Sequence, residues 1–329
     1  MSQSVSVVIP NYNGESLLER NLPFVYRALE KAGVAYEIIV SDDASTDNSV
    51  AFLHKRYPAV MVVESKENGG FATNTNRGIR QASQDLVLVL NSDIELTETY
   101  FRGLFRYFAD SRTFGVTGRI VGMDSDTIQD AAKYPACSFA SIKGTRNYLV
   151  QDRLPEGEWV PTFFLTGANA LIDRKKLLEM GGYCELFSPY YSEDTEMGLR
   201  AWRLGYRCYY EHEAVCRHPL SATIKKYSTP RKVAIISKRN KMYLHFLHLN
   251  GPELLAWLSL TTAKFVFRGL LFDPKYRAAF LAFWRTLPLA REAKRDFANL
   301  QQRHQVAISV GGVCREIKTW LSRYRILKF

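Results

Sequence analysis

The chain has 329 residues, 47% hydrophobic and 13% aromatic. That is enough apolar surface for a sizeable core, and it excludes a disordered chain, a collagen-like repeat or a disulfide-stapled miniprotein. The net charge of +11 is unevenly spread: residues 1–218 carry 23 Lys/Arg and 28 Asp/Glu, and residues 219–329 carry 21 and 5.

Val5–Ile9 is a β-branched run ended by Pro10 and reads as a buried strand. Leu17–Leu29 has helical apolar spacing. Glu37–Val40 reads as a strand ended by Ser41-Asp42-Asp43, Asn48–Tyr57 as a helix and Val60–Val63 as a strand. Thr73–Ala82 is predicted helical, and Leu86–Leu90 is a strand ended by Asn91-Ser92-Asp93. Strands alternating with helices predict an α/β fold: a mainly parallel sheet covered on both faces, with ligands at the carboxyl ends of its strands. Phe114–Val121 and Phe163–Ile172 look like further strands, Ser192–Leu204 is a helix stopped by Gly205, and 206–216 is strand or connector. After Pro219 the chain turns basic, aromatic and helical. This predicts two regions, 1–218 and 219–329.

The five cysteines, Cys137, Cys184, Cys208, Cys216 and Cys314, include no Cys-x-x-Cys pair. The expectation is reduced, buried thiols, with no disulfide framework and no thiolate zinc site. Residues 1–10 run directly into a strand without a basic leader, so no signal peptide is expected. The most apolar C-terminal stretch, Leu254–Phe272, is broken by Lys264 and Arg268 and is not expected to span a membrane.

Four polar clusters carry the chemistry. Pro10-Asn11-Tyr12-Asn13-Gly14 and Asp42-Asp43 lie at neighbouring strand ends. Adjacent carboxylates repel, so ionising both costs energy unless something uses them. Asp47 reads as a helix cap. Asn68-Gly69-Gly70, followed by Asn74 and Asn76, permits close backbone approach to a ligand. Asp93 of Asn91-Ser92-Asp93 is suited to a divalent cation shared with diphosphate oxygens. Ser192-Glu193-Asp194-Thr195-Glu196 places three carboxylates at a helix start, more than a cap needs, and Asp194 is a candidate general base. His218 follows 24 residues later as a candidate ligand.

Taken in order, these clusters resemble the family 2 glycosyltransferases with the GT-A fold. The resemblance covers residues 5–218 and implies inverting transfer of a sugar from a nucleotide-sugar donor. It implies that Pro10, Asn11, Asn13, Asp42, Asp43, Asn68, Gly70, Asn76, Asn91, Ser92 and Asp93 line the donor. It implies Glu193 and Asp194 as the catalytic pair, with Asp194 the base. It also implies that Asp93 and His218 hold Mn²⁺ or Mg²⁺. The family often has Asp-x-Asp where this chain has Asn91-Ser92-Asp93. Gly167 and Trp202 are candidates for the acceptor side. A nucleotidyltransferase would need a basic glycine-rich loop after the first strand, and Asn11-Tyr12-Asn13-Gly14 has no base. A noncatalytic scaffold would have no use for Asp93, Asp194 and His218.

The basic third predicts a polyanionic partner, and no nucleic-acid motif is present. Val313, Ile317, Trp320, Tyr324 and Leu327 fall on one helical face. Tyr276, Phe280, Phe283, Trp284 and Leu287 form another, each flanked by Lys or Arg. Such faces predict interfacial helices on an anionic membrane. The expected location is therefore peripheral, on the cytoplasmic face of the cell membrane, facing a lipid-linked or glycan acceptor.

Overall fold

A computed structural model of the chain describes residues 3–143, 145–219 and 229–329. Residues 220–228, which open the basic segment, lie outside the described residues.

The first half alternates strand and helix: β1 (Val5–Asn11), α1 (Glu15–Ala32), β2 (Tyr36–Asp42), α2 (Ser49–Arg56), β3 (Met61–Glu64), α3 (Gly70–Gln81) and β4 (Leu86–Leu90). Next come β5 (Glu95–Leu96) and the long β6 (Thr113–Gly122). A set of short strands follows: β7 (Ile128–Asp130), β8 (Ala132–Tyr134), β9 (Cys137–Ser138), β10 (Ser141–Ile142), β11 (Arg146–Val150) and β12 (Val160–Pro161). β13 (Asn169–Asp173), α4 (Arg174–Glu179), α5 (Glu193–Arg203) and β14 (Arg207–His218) complete the sheet region. The basic third supplies α6 (Pro230–His248), α7 (Gly251–Lys264), α8 (Pro274–Arg285), α9 (Leu287–His304), α10 (Val310–Leu321) and β15 (Ile326–Lys328).

The main sheet runs β12-β14-β6-β13-β4-β1-β2-β3. The strands β4, β1, β2 and β3 are mutually parallel, and so are β6 and β14; β13 enters antiparallel between them. Period-two alternation covers both faces. Val5, Val7 and Ile9 of β1 face one apolar core with Leu86, Leu88 and Leu90 of β4. Val8, Val87 and Val89 face the other. The chain steps from β1 to β2 and β3 on one side and returns to β4 on the other. The crevice between the ends of β1 and β4 is therefore the switch point at which such sheets bind ligands.

Several expectations change. Of Phe163–Ile172, only Asn169 onward is strand; Phe163 and Leu165 are buried in irregular backbone ahead of it. The stretch expected as strand or connector is a strand over Arg207–His218, with irregularities between Arg207 and Cys208 and between Glu211 and Val215. Cys137 and Cys314 form a disulfide that joins β9 to α10, with Cα atoms 6.6 Å apart across 177 residues of sequence. That separation carries no local spacing signal. Cys184, Cys208 and Cys216 are free.

Most of the two aromatic faces of the basic third points inward, while Trp284 and Leu327 stay exposed. Tyr276, Phe280, Phe283 and Leu287 are buried, and the Phe283 ring lies 5.7 Å from Tyr243 and 5.8 Å from Phe246 of α6. Val313 and Ile317 are buried as well, on α10, which packs against α5. That helix ends at Leu321, and Leu327 pairs with Leu149 in a small sheet. Residues from both 1–218 and 219–329 thus share one apolar core.

Trp202 is also core, at 1% exposure. Its Nε1–H donates to the Thr162 carbonyl at 3.0 Å, and Arg207 stacks over its ring. It does not face the strand-end crevice. Trp202→Phe is expected to lower stability by about 1–3 kcal/mol, from lost volume and an unpaired carbonyl. Thermal unfolding alongside steady-state kinetics checks this. Turnover should stay within about threefold of wild type, the effect of a residue outside the reacting groups.

Candidate active site

The crevice is built from strand ends. The β1–β2 register sets Asn11 beside Asp42, and Asn11 Nδ2 donates to Asp42 Oδ1 at 2.8 Å. Asp42 also accepts from the Ser45 hydroxyl at 2.6 Å and the Ser45 N–H at 2.9 Å. Asn13 has a left-handed φ of 50°. Its Oδ1 takes the Thr46 N–H at 2.7 Å and the Asp47 N–H at 3.3 Å, so it holds the 45–47 turn. Asp43 accepts from the N–H groups of Gly69 at 2.9 Å and Gly70 at 2.8 Å, and from Arg77 Nη1 at 2.9 Å. Both carboxylates are therefore occupied within the chain, shaping the walls of the crevice. Pro10 sits in the same β1–β2 ladder opposite Ser41.

Gly70 has φ 79°, and a Cβ there would lie 2.5 Å from Pro189 Cα. The next N–H, of Phe71, donates to the Pro189 carbonyl at 2.9 Å. Only glycine satisfies both constraints. Asn68 is exposed on the loop before it. Asn76 lies on the far side of α3, where its amide binds the Tyr183 N–H and carbonyl at 2.8 Å each. It thus ties α3 to the turn that precedes α5.

Asn91, Ser92 and Asp93 leave β4 across from Gly167. The Asn91 N–H donates to the Ala168 carbonyl at 3.1 Å, and the Ser92 carbonyl accepts from Asn21 at 2.8 Å. Asp93 is buried, and its Oδ1 has no hydrogen-bond partner among the described residues. Its Oδ2 lies 3.4 Å from His218 Nε2 at the end of β14. Gln129 Oε1 lies 3.2 Å from His218 Nδ1, and Gln129 Nε2 donates to the His218 carbonyl at 3.2 Å. In the tautomer that donates Nδ1–H to Gln129, Nε2 turns its lone pair to the Asp93 side. A carboxylate oxygen and an imidazole nitrogen facing one space suit a divalent cation. No group of three or more such ligands occurs among the described residues.

Glu193 and Asp194 begin α5. Both residues are half-buried, but their carboxyl groups are enclosed, and Glu193 Oε2 has no partner among the described residues. Burial pushes the Asp194 pKa up, and hydrogen bonding from Thr195 and the positive charge of Lys133 oppose the shift. Burial, then repulsion from Asp194, pushes Glu193 up. Gly167 lies beside them: a Cβ there would be 3.3 Å from the Phe71 ring and 3.9 Å from Asp194 Cβ. Asp130 joins the two halves of the site. Its own pKa is raised by burial and opposed by Lys133, whose Nζ is 2.6 Å away; it also feels His218 and acts on Asp194.

The loop that presents the pair is held by the basic third. Tyr191 and Ser192 both have left-handed φ, 75° and 72°, which costs about 1–2 kcal/mol each for an L-residue. Asn240 of α6 is fully buried, and its Nδ2 lies 2.6 Å from the Phe187 carbonyl and 2.8 Å from those of Tyr190 and Tyr191. Arg239 Nη2 donates to the Ser188 carbonyl at 2.5 Å. Sequence reasoning missed Gln129, Asp130 and Lys133, which lie in a stretch without periodicity. It also missed Asn240, although one signal was present: Ile236, Asn240, Tyr243 and Leu247 share a helical face that is otherwise apolar.

Residues 6–181 match the family described as Glycosyl transferase family 2. Over 259 residues the chain is 24% identical to the N-acetylglucosaminyl-diphospho-decaprenol L-rhamnosyltransferase of Mycobacterium tuberculosis, covering 71% of this chain and 80% of that protein. The solved structure of GalNAc-T7 with UDP, GalNAc and Mn²⁺ superposes with a TM-score of 0.69 at 16% identity, over 98% of this chain and 58% of that one. TarS 1-349 of S. aureus with UDP-GlcNAc superposes with a TM-score of 0.55 at 16% identity, over 96% and 92%. These likenesses, on a mostly parallel sheet of the GT-A kind with the motifs at its strand ends, make the chain a member of the family 2 glycosyltransferases.

Proposed function

We propose that the enzyme transfers a sugar, with inversion, from a nucleoside-diphosphate donor to a hydroxyl of a lipid-linked or polysaccharide acceptor in cell-envelope assembly. The observation that carries the reading is the pairing of two sets across one crevice: Asp93 with His218, and Glu193 with Asp194. Asn11, Asn13, Asp42, Asp43, Asn68, Gly70, Asn91 and Ser92 build the donor wall between them. The decaprenol-linked substrate named for the rhamnosyltransferase relative supports the lipid-linked acceptor, and the UDP-GlcNAc of TarS supports the donor class. No helix among the described residues is long and apolar enough to cross a membrane. A peripheral position on the cytoplasmic face fits that lipid-linked acceptor.

Asp93 and His218 would hold the cation, and the Mn²⁺ named together with UDP for the GalNAc-T7 structure supports the assignment. Such an ion supplies positive charge against that developing on the leaving diphosphate. The orphaned Asp93 Oδ1 and the Gln129-oriented ring of His218 fit this use. Asp194 accepts the proton of the acceptor hydroxyl as that oxygen attacks the anomeric carbon from the face opposite the leaving group. One displacement inverts the centre. A carboxylate desolvated in this way is a stronger base than one in water, because its pKa lies closer to working pH. The Lys133 charge opposes the rise in the Asp194 pKa and so favours its carboxylate form. Glu193, pushed up beside it, retains its proton more readily and spares Asp194 a like charge.

Asp194→Asn is expected to cut transfer by roughly 10²–10⁴-fold while donor affinity holds. The same change should raise Tm at neutral pH. Because the folded pKa of Asp194 is raised, folding is disfavoured once pH exceeds the unfolded value, and asparagine removes that cost. The Tm gain should shrink as pH falls toward the ordinary carboxylate range. Turnover near wild type would remove Asp194 from the mechanism.

Chelation is expected to abolish transfer, and Mn²⁺ or Mg²⁺ to restore it. His218→Ala should demand more metal for half-maximal rate, by roughly 10–100-fold. Full activity in excess chelator overturns the metal assignment.

Asn240→Ala removes the Nδ2 group shared by the Phe187, Tyr190 and Tyr191 carbonyls, the first of them buried, and is expected to lower stability by about 1–3 kcal/mol. Its diagnostic effect is kinetic: kcat should fall roughly tenfold or more through misplaced Asp194, while donor affinity measured by calorimetry stays unchanged. Parallel loss of both would mark a global defect instead.

A further inference from the structure

The basic third contains a surface that the site does not use. α7 runs into one π-helical turn at Phe265–Gly269 and returns as α8, making a helical hairpin. Its inner side is packed: Phe265 stacks on Phe280 at 4.1 Å, and the Tyr276 hydroxyl donates to the Thr261 carbonyl at 3.2 Å. Its outer side is open. Phe267, Leu271 and Phe272 at the tip are 76%, 75% and 77% exposed, and Leu255 and Leu260 of α7 and Trp284 of α8 are exposed as well. Exposed large apolar groups gathered this way mark an interaction surface.

Charge selects the partner. Between residues 255 and 289 the chain has Lys264, Arg268, Lys275, Arg277 and Arg285 against a single acid, Asp273. That acid is already paired, 3.5 Å from Lys238 and 3.8 Å from Arg268. A second copy docked through the same face would set like charges against each other. An apolar tip ringed by cations that outnumber its one acid is instead complementary to anionic headgroups over an acyl layer.

We propose that this hairpin is a bilayer wedge, with Phe267, Leu271 and Phe272 entering the acyl boundary of an anionic membrane while Lys264, Arg268, Lys275 and Arg277 contact its headgroups. The proposal deepens the reading of a lipid-linked acceptor and rests on that reading only for its purpose. The path to the site is short. Lys238 binds Asp273 at the hairpin, and the next two residues of α6, Arg239 and Asn240, hold the loop that carries Asp194. The wedge and the general base are thus positioned by one turn of one helix. Of the Tyr276–Leu287 and Val313–Leu327 faces that the sequence suggests for membrane contact, most residues are packed inside and Trp284 is exposed; the apolar tip lies between α7 and α8.

The test is flotation of the full chain with vesicles of phosphatidylcholine, alone and mixed with phosphatidylglycerol, at low and high salt. Wild type should float with the anionic vesicles and less with the neutral ones, and salt should weaken but not abolish binding. The variant Phe267→Ser/Leu271→Ser/Phe272→Ser alters only exposed positions and should keep its Tm. It should lose vesicle binding by roughly tenfold or more for each ring removed. Phe139→Ser, exposed in a different region, is the control and should float as wild type does. Donor binding, read as a thermal shift with nucleotide sugars, should be unchanged in the triple variant. A triple variant that floats like wild type, or a wild type that never floats, overturns the wedge. So does a triple variant that only converts a dimer to a monomer in sedimentation, because that assigns the surface to a second copy. Loss of donor binding in wild type would strike the transferase reading alone, because flotation is scored without turnover.

Discussion

Two neighbouring carboxyl groups, Glu193 and Asp194, enclosed at the start of α5, set the terms for much of the molecule. Enclosing them is unfavourable, as the upward shift of both pKa values records. The fold meets that cost locally with the Thr195 N–H and at longer range with the Lys133 charge. It also keeps the loop before them from relaxing. Tyr191 and Ser192 are held in left-handed conformations that they would abandon if free, and Asn240, Arg239 and the Gly70–Pro189 contact hold them there. Strain of this kind persists only where surrounding structure over-determines it.

This explains why the basic third is not an appendage. α6 reaches the loop through its carbonyls, α10 packs on α5, and β15 closes a small sheet with β11. The apolar core runs through both regions. A catalytic sheet of this type supplies strand ends, but strand ends alone do not fix a helix start on the opposite wall of the crevice. The C-terminal helices do so here.

Much of this was legible in the sequence because it rests on local pattern. The alternation in Val5–Ile9 and Leu86–Leu90, and the polar tripeptides that end each strand, follow from period-two burial and from ligand binding at strand ends. Asp93, Asp194 and His218 stood out because each is a chemically active residue at an element boundary. What failed depends on tertiary partners. Aromatic faces such as Tyr276–Leu287 have the same spacing whether they meet lipid or another helix, and here they meet α6. Trp202 has the periodicity of either a core or a ligand residue. Phe163–Leu165 is apolar enough for a strand but is followed by Gly167, which bends beside Phe71. Asp130 and Lys133 sit in strands of three residues, too short for any periodicity to show. The Cys137–Cys314 link spans 177 residues and leaves no trace in spacing.

The contact between Gly70 and Pro189 also bears on how such a chain can drift. Position 70 excludes other residues on two independent grounds, its backbone conformation and the 2.5 Å approach to Pro189 Cα. Easing one leaves the other in force. Any side chain there would push the loop ahead of Asp194, so a change at the start of α3 is felt at the start of α5. Change along this wall of the crevice is easier at positions such as Asn68, which is exposed on its loop and is not pinned in this way. Position 70 therefore stays glycine even where Pro189 changes, because its φ of 79° remains.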